Sequence, residues 1–259
     1  MTGNNAASVT LAGVDGCKAG WIAVRQDPGG YPSVAVYAAF QDIVAALPSD
    51  AIVAVDMPIG LPAVSARGGR GPEALVRPLL GERQSSVFAI PSRAAVYADT
   101  AAFSTVEAWY EAHRHASAVA ATTSNPPRGV SIQAFGIFAK IREIDELLTA
   151  RPDLRDRIFE SHPEVAFWRL NGGHAMTFPK KIKGVVNPAG MEERRALLAR
   201  QGYERAFLDQ TPSKGAAADD FLDAAAMLLI AGRIARGEAV PYPNPPLIDG
   251  LGIPVAIHV

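Results

Sequence analysis

Short apolar runs separated by turn residues open the chain. Residues 9–14, 21–25 and 33–37 are each of strand length, and Gly and Pro in residues 16–20 and 27–30 divide them. Three such runs on tight turns predict an antiparallel meander. Residues 40–47 carry Ile43, Val44 and Leu47 at helical spacing. Residues 51–55 are continuously apolar, as in a strand buried on both faces, and run into Asp56 before Met57-Pro58.

The pattern changes over residues 63–150. Arg67-Gly68-Gly69-Arg70-Gly71-Pro72 reads as a mobile basic loop, and alanine-rich, mainly helical sequence follows. Residues 133–149 predict a helix with Ala134, Ile137, Phe138, Ile141, Ile144, Leu147 and Leu148 as its apolar stripe. Strand character returns at residues 157–161. Further helices are predicted over 192–201 and 216–236, and residues 253–259 as a closing strand. This order predicts a single α/β domain over residues 1–259, a mixed sheet flanked by helices, with 63–150 as a mostly helical insertion. The core is expected from residues 8–60 and 155–259.

Composition narrows the class. Of 259 residues, 49% are apolar and 20% charged, which excludes a disordered chain. The net charge of -1 argues against a protein that grips nucleic acid over its whole surface, while leaving room for a local basic groove. One cysteine, Cys17, excludes an internal disulfide and a four-cysteine zinc site and fits a reducing cytoplasm. The polar start, Met1 to Ser8, lacks a signal-peptide pattern. The longest apolar run, residues 224–231, is far short of the roughly 20 residues of a membrane span, so no membrane is expected.

Four aspartates stand where acid is costly unless used. Asp15 and Asp56 each end an apolar strand. Asp220 and Asp223, three apart, share one face of an otherwise apolar helix, with Asp219 as an ambiguous neighbour. Each has a plainer reading: Asp15 as an Asp-Gly turn, Asp56 as a strand-end cap, Asp219 and Asp220 as helix caps. Asp223 lies too deep in its helix for that, and a buried unpaired carboxylate demands a cation or a raised pKa. Two strand-end aspartates with a helical Asp-x-x-Asp suit an oxygen-rich site for Mg²⁺ or Mn²⁺, able to hydrolyse a phosphodiester.

These residues resemble a known family. Its motifs are matched by residues 13–21 (Gly-Val-Asp-Gly-Cys-Lys-Ala-Gly-Trp) and 56–62 (Asp-Met-Pro-Ile-Gly-Leu-Pro). They continue through 83–88 with 91–93, 131–135 with Lys140-Ile141, 160–164 (Glu-Ser-His-Pro-Glu) and 219–224. The chain is similar over about residues 10–258 to domain-of-unknown-function family 429, described as predicted nucleases of ribonuclease-H-like fold. The resemblance implies a ribonuclease-H-like sheet and a metal-dependent nuclease acting on DNA or RNA. Asp15, Asp56, Asp220 and Asp223 would be the metal ligands, and Glu164, or Glu160 beside it, a further acid. His162 reads first as a structural hydrogen-bonder. Lys18, Arg83, Ser85, Arg93, Lys140 and Lys181, the last in a basic run with Lys180 and Lys183, would contact the polyanion. Two other classes stay open: an actin-like ATP-dependent phosphotransferase, since Asp15-Gly16-x-Lys18-x-Gly20 resembles a phosphate-binding hairpin, and a non-catalytic regulator that binds a nucleotide or protein.

Overall fold

The computed structural model describes residues 8–259. The reading of the polar start as lacking a signal peptide therefore lies, apart from Ser8, outside the described residues. Five strands form the central sheet: β1 Leu11–Cys17, β2 Gly20–Gln26, β3 Ser33–Tyr37, β4 Ile52–Asp56 and β5 Ile158–Ser161. Their spatial order is β3-β2-β1-β4-β5. The first three form the antiparallel meander, and β1, β4 and β5 run parallel. Helices flank this sheet, which is the ribonuclease-H-like α/β arrangement expected from the sequence.

Alternation along the strands divides the interior into two layers. Ala12, Val14, Val53 and Val55 face Phe138, Ile141 and Ile144 of the helix Phe138–Ala150. Leu11, Cys17 and Ala54 face the helix Ala218–Ala235, which is buried over most of its length. That helix lies very close to β1. A Cβ on Gly13 would stand 2.0 Å from the backbone nitrogen of Leu228 and 2.2 Å from the carbonyl oxygen of Ala224. Gly13 and the alanines at 224–226 thus let strand and helix backbones touch, which sets the distance between Asp15, two residues on, and Asp223.

Several boundaries differ from the sequence expectation. Asp15 lies inside β1, opposite Ile22, because the strand continues through the Asp-Gly step to Cys17. The helix expected over 133–149 is two, Ile132–Gly136 and Phe138–Ala150, each accommodated around the non-helical Ile137. The helix expected over 192–201 begins earlier, with Pro188 in its first turn. The closing strand, Pro254–His258, does not extend the central sheet; it pairs antiparallel with Pro241–Ile248. The latter strand was hidden by Pro241, Pro243, Pro245 and Pro246, which cannot donate to a ladder, and its register shifts between Tyr242 and Leu247. Among the described residues no helix is long and apolar enough to cross a membrane.

The stretch 67–72 is anchored at Arg70 rather than carrying both its arginines into solvent. Arg70 is 6% exposed, and its guanidinium bonds Glu73, Glu160 and the carbonyls of Ile59 and Gly60. Arg77 ties the Gly68 carbonyl to that of Val87. A buried cation needs such a set of acceptors, and the two glutamates supply the charge.

Candidate functional site

Parallel strand pairing brings the first two acids together. Val14 is paired with Val55, so the next residues, Asp15 and Asp56, stand side by side at the carboxyl ends of β1 and β4. Their side chains are close enough for the charge of Asp56 to act on Asp15. Asp56 in turn faces Ser161 on β5. Ligand sites in open α/β sheets form at this end of the parallel strands.

The helix Ala218–Ala235 crosses above them. Asp223 is 1% exposed, and its carboxylate receives the ammonium of Lys180. Asp219, the ambiguous neighbour, is 2% exposed and pairs with Lys181 at 2.5 Å, with Lys180 at 3.9 Å. Asp220 accepts the Ala217 N–H at 2.9 Å, so one of its oxygens caps the helix; its charge still reaches Asp15 and Asp56. Glu164 is buried against Arg194, a fully buried cation that also holds the carbonyls of Phe178 and Gly190.

Crowded acid raises its own pKa. Burial, then the charges of Asp56 and Asp223, push Asp15 well above the usual carboxylate range, although the Gly16 N–H donates to it at 2.6 Å. Burial pushes Asp56 and Asp223 each up to about 6, against the opposing pull of Lys180. Lys180, partly exposed but surrounded by Asp223, Asp15 and Asp56, is held charged above the ordinary lysine range although partial desolvation opposes it. Asp223 Oδ1 and Asp219 Oδ1 remain buried without a partner among the described residues.

A cavity of about 290 Å³ opens beside this cluster. Asp15, Asp56, Glu164, Lys140 and Lys180 line it together with Met57, Phe88 and His162. A larger cleft of about 530 Å³, bordered by Gln26, Tyr203, Arg233 and Arg236, contains none of these acids.

The expected substrate-contacting residues are scattered. Lys140 lines the cavity, donates to the Gly20 carbonyl and lies over the Trp21 ring at 4.4 Å. Lys18 is exposed at the β1–β2 turn. Arg83 and Ser85 lie outside the cavity wall, which Ser86 reaches instead. Arg93 is not free for a polyanion: Asp145 and Asp249 hold its guanidinium. Lys181 is likewise committed to Asp219. Sequence reasoning did not single out Arg70, Arg194 or the pairing role of Lys180. The available signal was the number of acids in apolar surroundings, which require buried counter-charges.

A family model described as "Protein of unknown function (DUF429)" matches residues 13–247. The chain belongs to this family. The matched span contains β1 from Gly13 onward, the aspartate cluster, the cavity residues named above and the whole Ala218–Ala235 helix. No curated protein and no solved structure matches the chain.

Proposed function

We propose that this protein hydrolyses phosphodiester bonds of nucleic acid, with Mg²⁺ or Mn²⁺ held by Asp15, Asp56 and Asp223. The observation that carries the reading is the convergence of these three acids at the carboxyl ends of two adjacent parallel strands and on the helix above them. As they stand, no group of three or more ligating side chains among the described residues is arranged around a common ion. The donor set nevertheless fits a cation. It already takes one, the Lys180 ammonium, and Asp223 Oδ1 is left without a partner. Oxygen-only donors select hard divalent ions.

A divalent ion bound there would supply charge stabilisation and an acidified water for attack on phosphorus. The chain's own residues do the rest. Burial favours the protonated forms of Asp15 and Asp56 in the cation-free state, and arriving counter-charge would favour their ionisation. Asp220 has one oxygen engaged in capping and contributes negative field more than ligation. Lys140, beside Asp15 in the cavity wall, offers a positive charge to a phosphate. Glu164 is oriented by Arg194. The single cysteine agrees with a reducing, cytoplasmic setting.

A thermal-shift titration tests the metal part. Mn²⁺ should raise the melting temperature of the wild type and leave that of Asp15→Asn and Asp223→Asn unmoved. Equal Mn²⁺ shifts in all three proteins would refute the assignment.

A further inference from the structure

The cavity beside the aspartates carries a second set of polar side chains, from β5 and the start of the helix that follows it. Ser161 closes β5, His162 stands at the N-cap of the next helix, Pro163–Leu170, and Glu164 lies in its first turn. Ser161 Oγ, His162 Nδ1 and Glu164 Oε2 are each buried without a hydrogen-bond partner among the described residues. Ser161 is 2% exposed and Glu164 6%. Leaving such an atom unpaired costs about 1–3 kcal/mol. Three of them on residues lining one cavity point to a polar group that enters it.

Beside these and the charged Asp15, Asp56, Lys140 and Lys180, part of the wall is apolar. Met57, Val87 and Phe88 line the same cavity. An apolar surface with a mixed donor and acceptor edge suits a flat heteroaromatic ring, packed on its face and read along its rim. Enzymes hold an unpaired nucleobase in this way. The volume, about 290 Å³, lies at the lower end of ligand pockets, roughly 300–1,000 Å³. A space of that size suits a single nucleobase rather than a base pair.

The chemistry of the edge narrows the ring. The Glu164 carboxylate accepts hydrogen bonds, and an exocyclic amino group donates them. Ser161 adapts as donor or acceptor, and His162 Nδ1 accepts, because Nε2–H donates to the Ser86 carbonyl at 3.3 Å. Adenine, cytosine and guanine carry such an amino group; thymine and uracil do not.

We infer that this cavity is a recognition pocket for a single unpaired nucleobase bearing an exocyclic amino group, read by Ser161, His162 and Glu164 and packed on Phe88. Because Asp15 and Asp56 line the same cavity, the base in it fixes which phosphodiester meets the carboxylates. That last consequence rests on the hydrolytic reading; the pocket itself does not.

Ligand-observed NMR of the metal-free protein with deoxyadenosine, deoxycytidine, deoxyguanosine, thymidine and 2-deoxyribose tests the pocket. At least one amino-bearing nucleoside should bind at least fivefold more tightly than thymidine, with 2-deoxyribose showing no binding. Ser161→Ala and His162→Gln, each checked for an unchanged fold by circular dichroism, should weaken the preferred nucleoside at least threefold. Nucleosides that bind no better than 2-deoxyribose overturn the inference. So does thymidine bound as well as the others, or affinity untouched in both variants. Hydrolysis of bis(4-nitrophenyl) phosphate with Mn²⁺, a substrate without a base, is measured alongside. Hydrolysis without nucleoside binding sinks the pocket alone, and nucleoside binding without hydrolysis sinks the nuclease reading alone.

Discussion

Lys180 places its ammonium on Asp223, 43 residues further along the chain, and so occupies the side of the carboxylate cluster where a cation is wanted. Asp15 and Asp56 feel the same charge. Lys180→Met should therefore have two opposite effects. Without metal the acids lose their counter-charge, and stability should fall by about 1–3 kcal/mol, less than for a fully buried pair because Lys180 is partly exposed. With Mn²⁺ the ion no longer competes with an ammonium, and its affinity should rise at least threefold. Urea melts in EDTA and calorimetric Mn²⁺ titration read the two effects. Unchanged Mn²⁺ affinity would mean that Lys180 and the ion do not share a site.

The raised acids give the metal-free protein a defined pH response. A carboxyl with a folded pKa near 6 and an unfolded value near 3.8 binds more protons in the folded state between those values. Its stabilising contribution is complete below about pH 3.8 and is lost as the pH rises through about 6. In EDTA, the contribution of this cluster to the melting temperature should decline from pH 5 to pH 7. Asp56→Asn removes one titrating charge. It should flatten that slope and equal or exceed the wild type in stability at pH 7. A steeper slope in the variant would contradict the shift.

The same protons compete with metal. Apparent Mn²⁺ affinity should increase between about pH 5.5 and 7 and level off above, with proton release on binding. Calorimetry in two buffers of different ionisation enthalpy measures the released protons. Binding without proton release would place the ion elsewhere.

Gly13→Ala tests the contact that brings strand and helix together. Its methyl would lie 2.0 Å from a backbone nitrogen, so the helix must shift, and overpacking should cost at least about 1–3 kcal/mol. Gly136→Ala, with nothing within 4 Å of the new methyl, should stay near wild type. Comparable urea midpoints for the two variants would contradict the close packing.

Much of this arrangement was legible in the chain. The meander, the buried β4 run and the long apolar helix follow from periodicity, and the acids interrupting them marked one end of the sheet. Partner choice was not legible. Arg70 sits among glycines and reads as loop, yet Glu160 arrives from 90 residues away to bury it. Arg93 and Lys181 read as free cations, but long-range folding assigns them Asp145, Asp249 and Asp219. The strand Pro241–Ile248 was concealed because its prolines contradict local strand preference, while pairing with Pro254–His258 overrides it. Arg70→Met accordingly should cost about 3–5 kcal/mol, against about 0.5 kcal/mol or less for Arg83→Met, whose contact is a 3.4 Å pair with exposed Glu82. Denaturant melts of the two variants check the contrast, and equal losses would contradict the buried role of Arg70.

The most direct measurement is cleavage of an end-labelled, single-stranded oligonucleotide by the purified wild type and by Asp15→Asn prepared identically, each with Mn²⁺ and with EDTA. The account expects Mn²⁺-dependent fragments from the wild type, none in EDTA, and a rate for Asp15→Asn lower by at least a hundredfold at unchanged fold. Intact oligonucleotide with the wild type and Mn²⁺, or equal cleavage by Asp15→Asn, would contradict it.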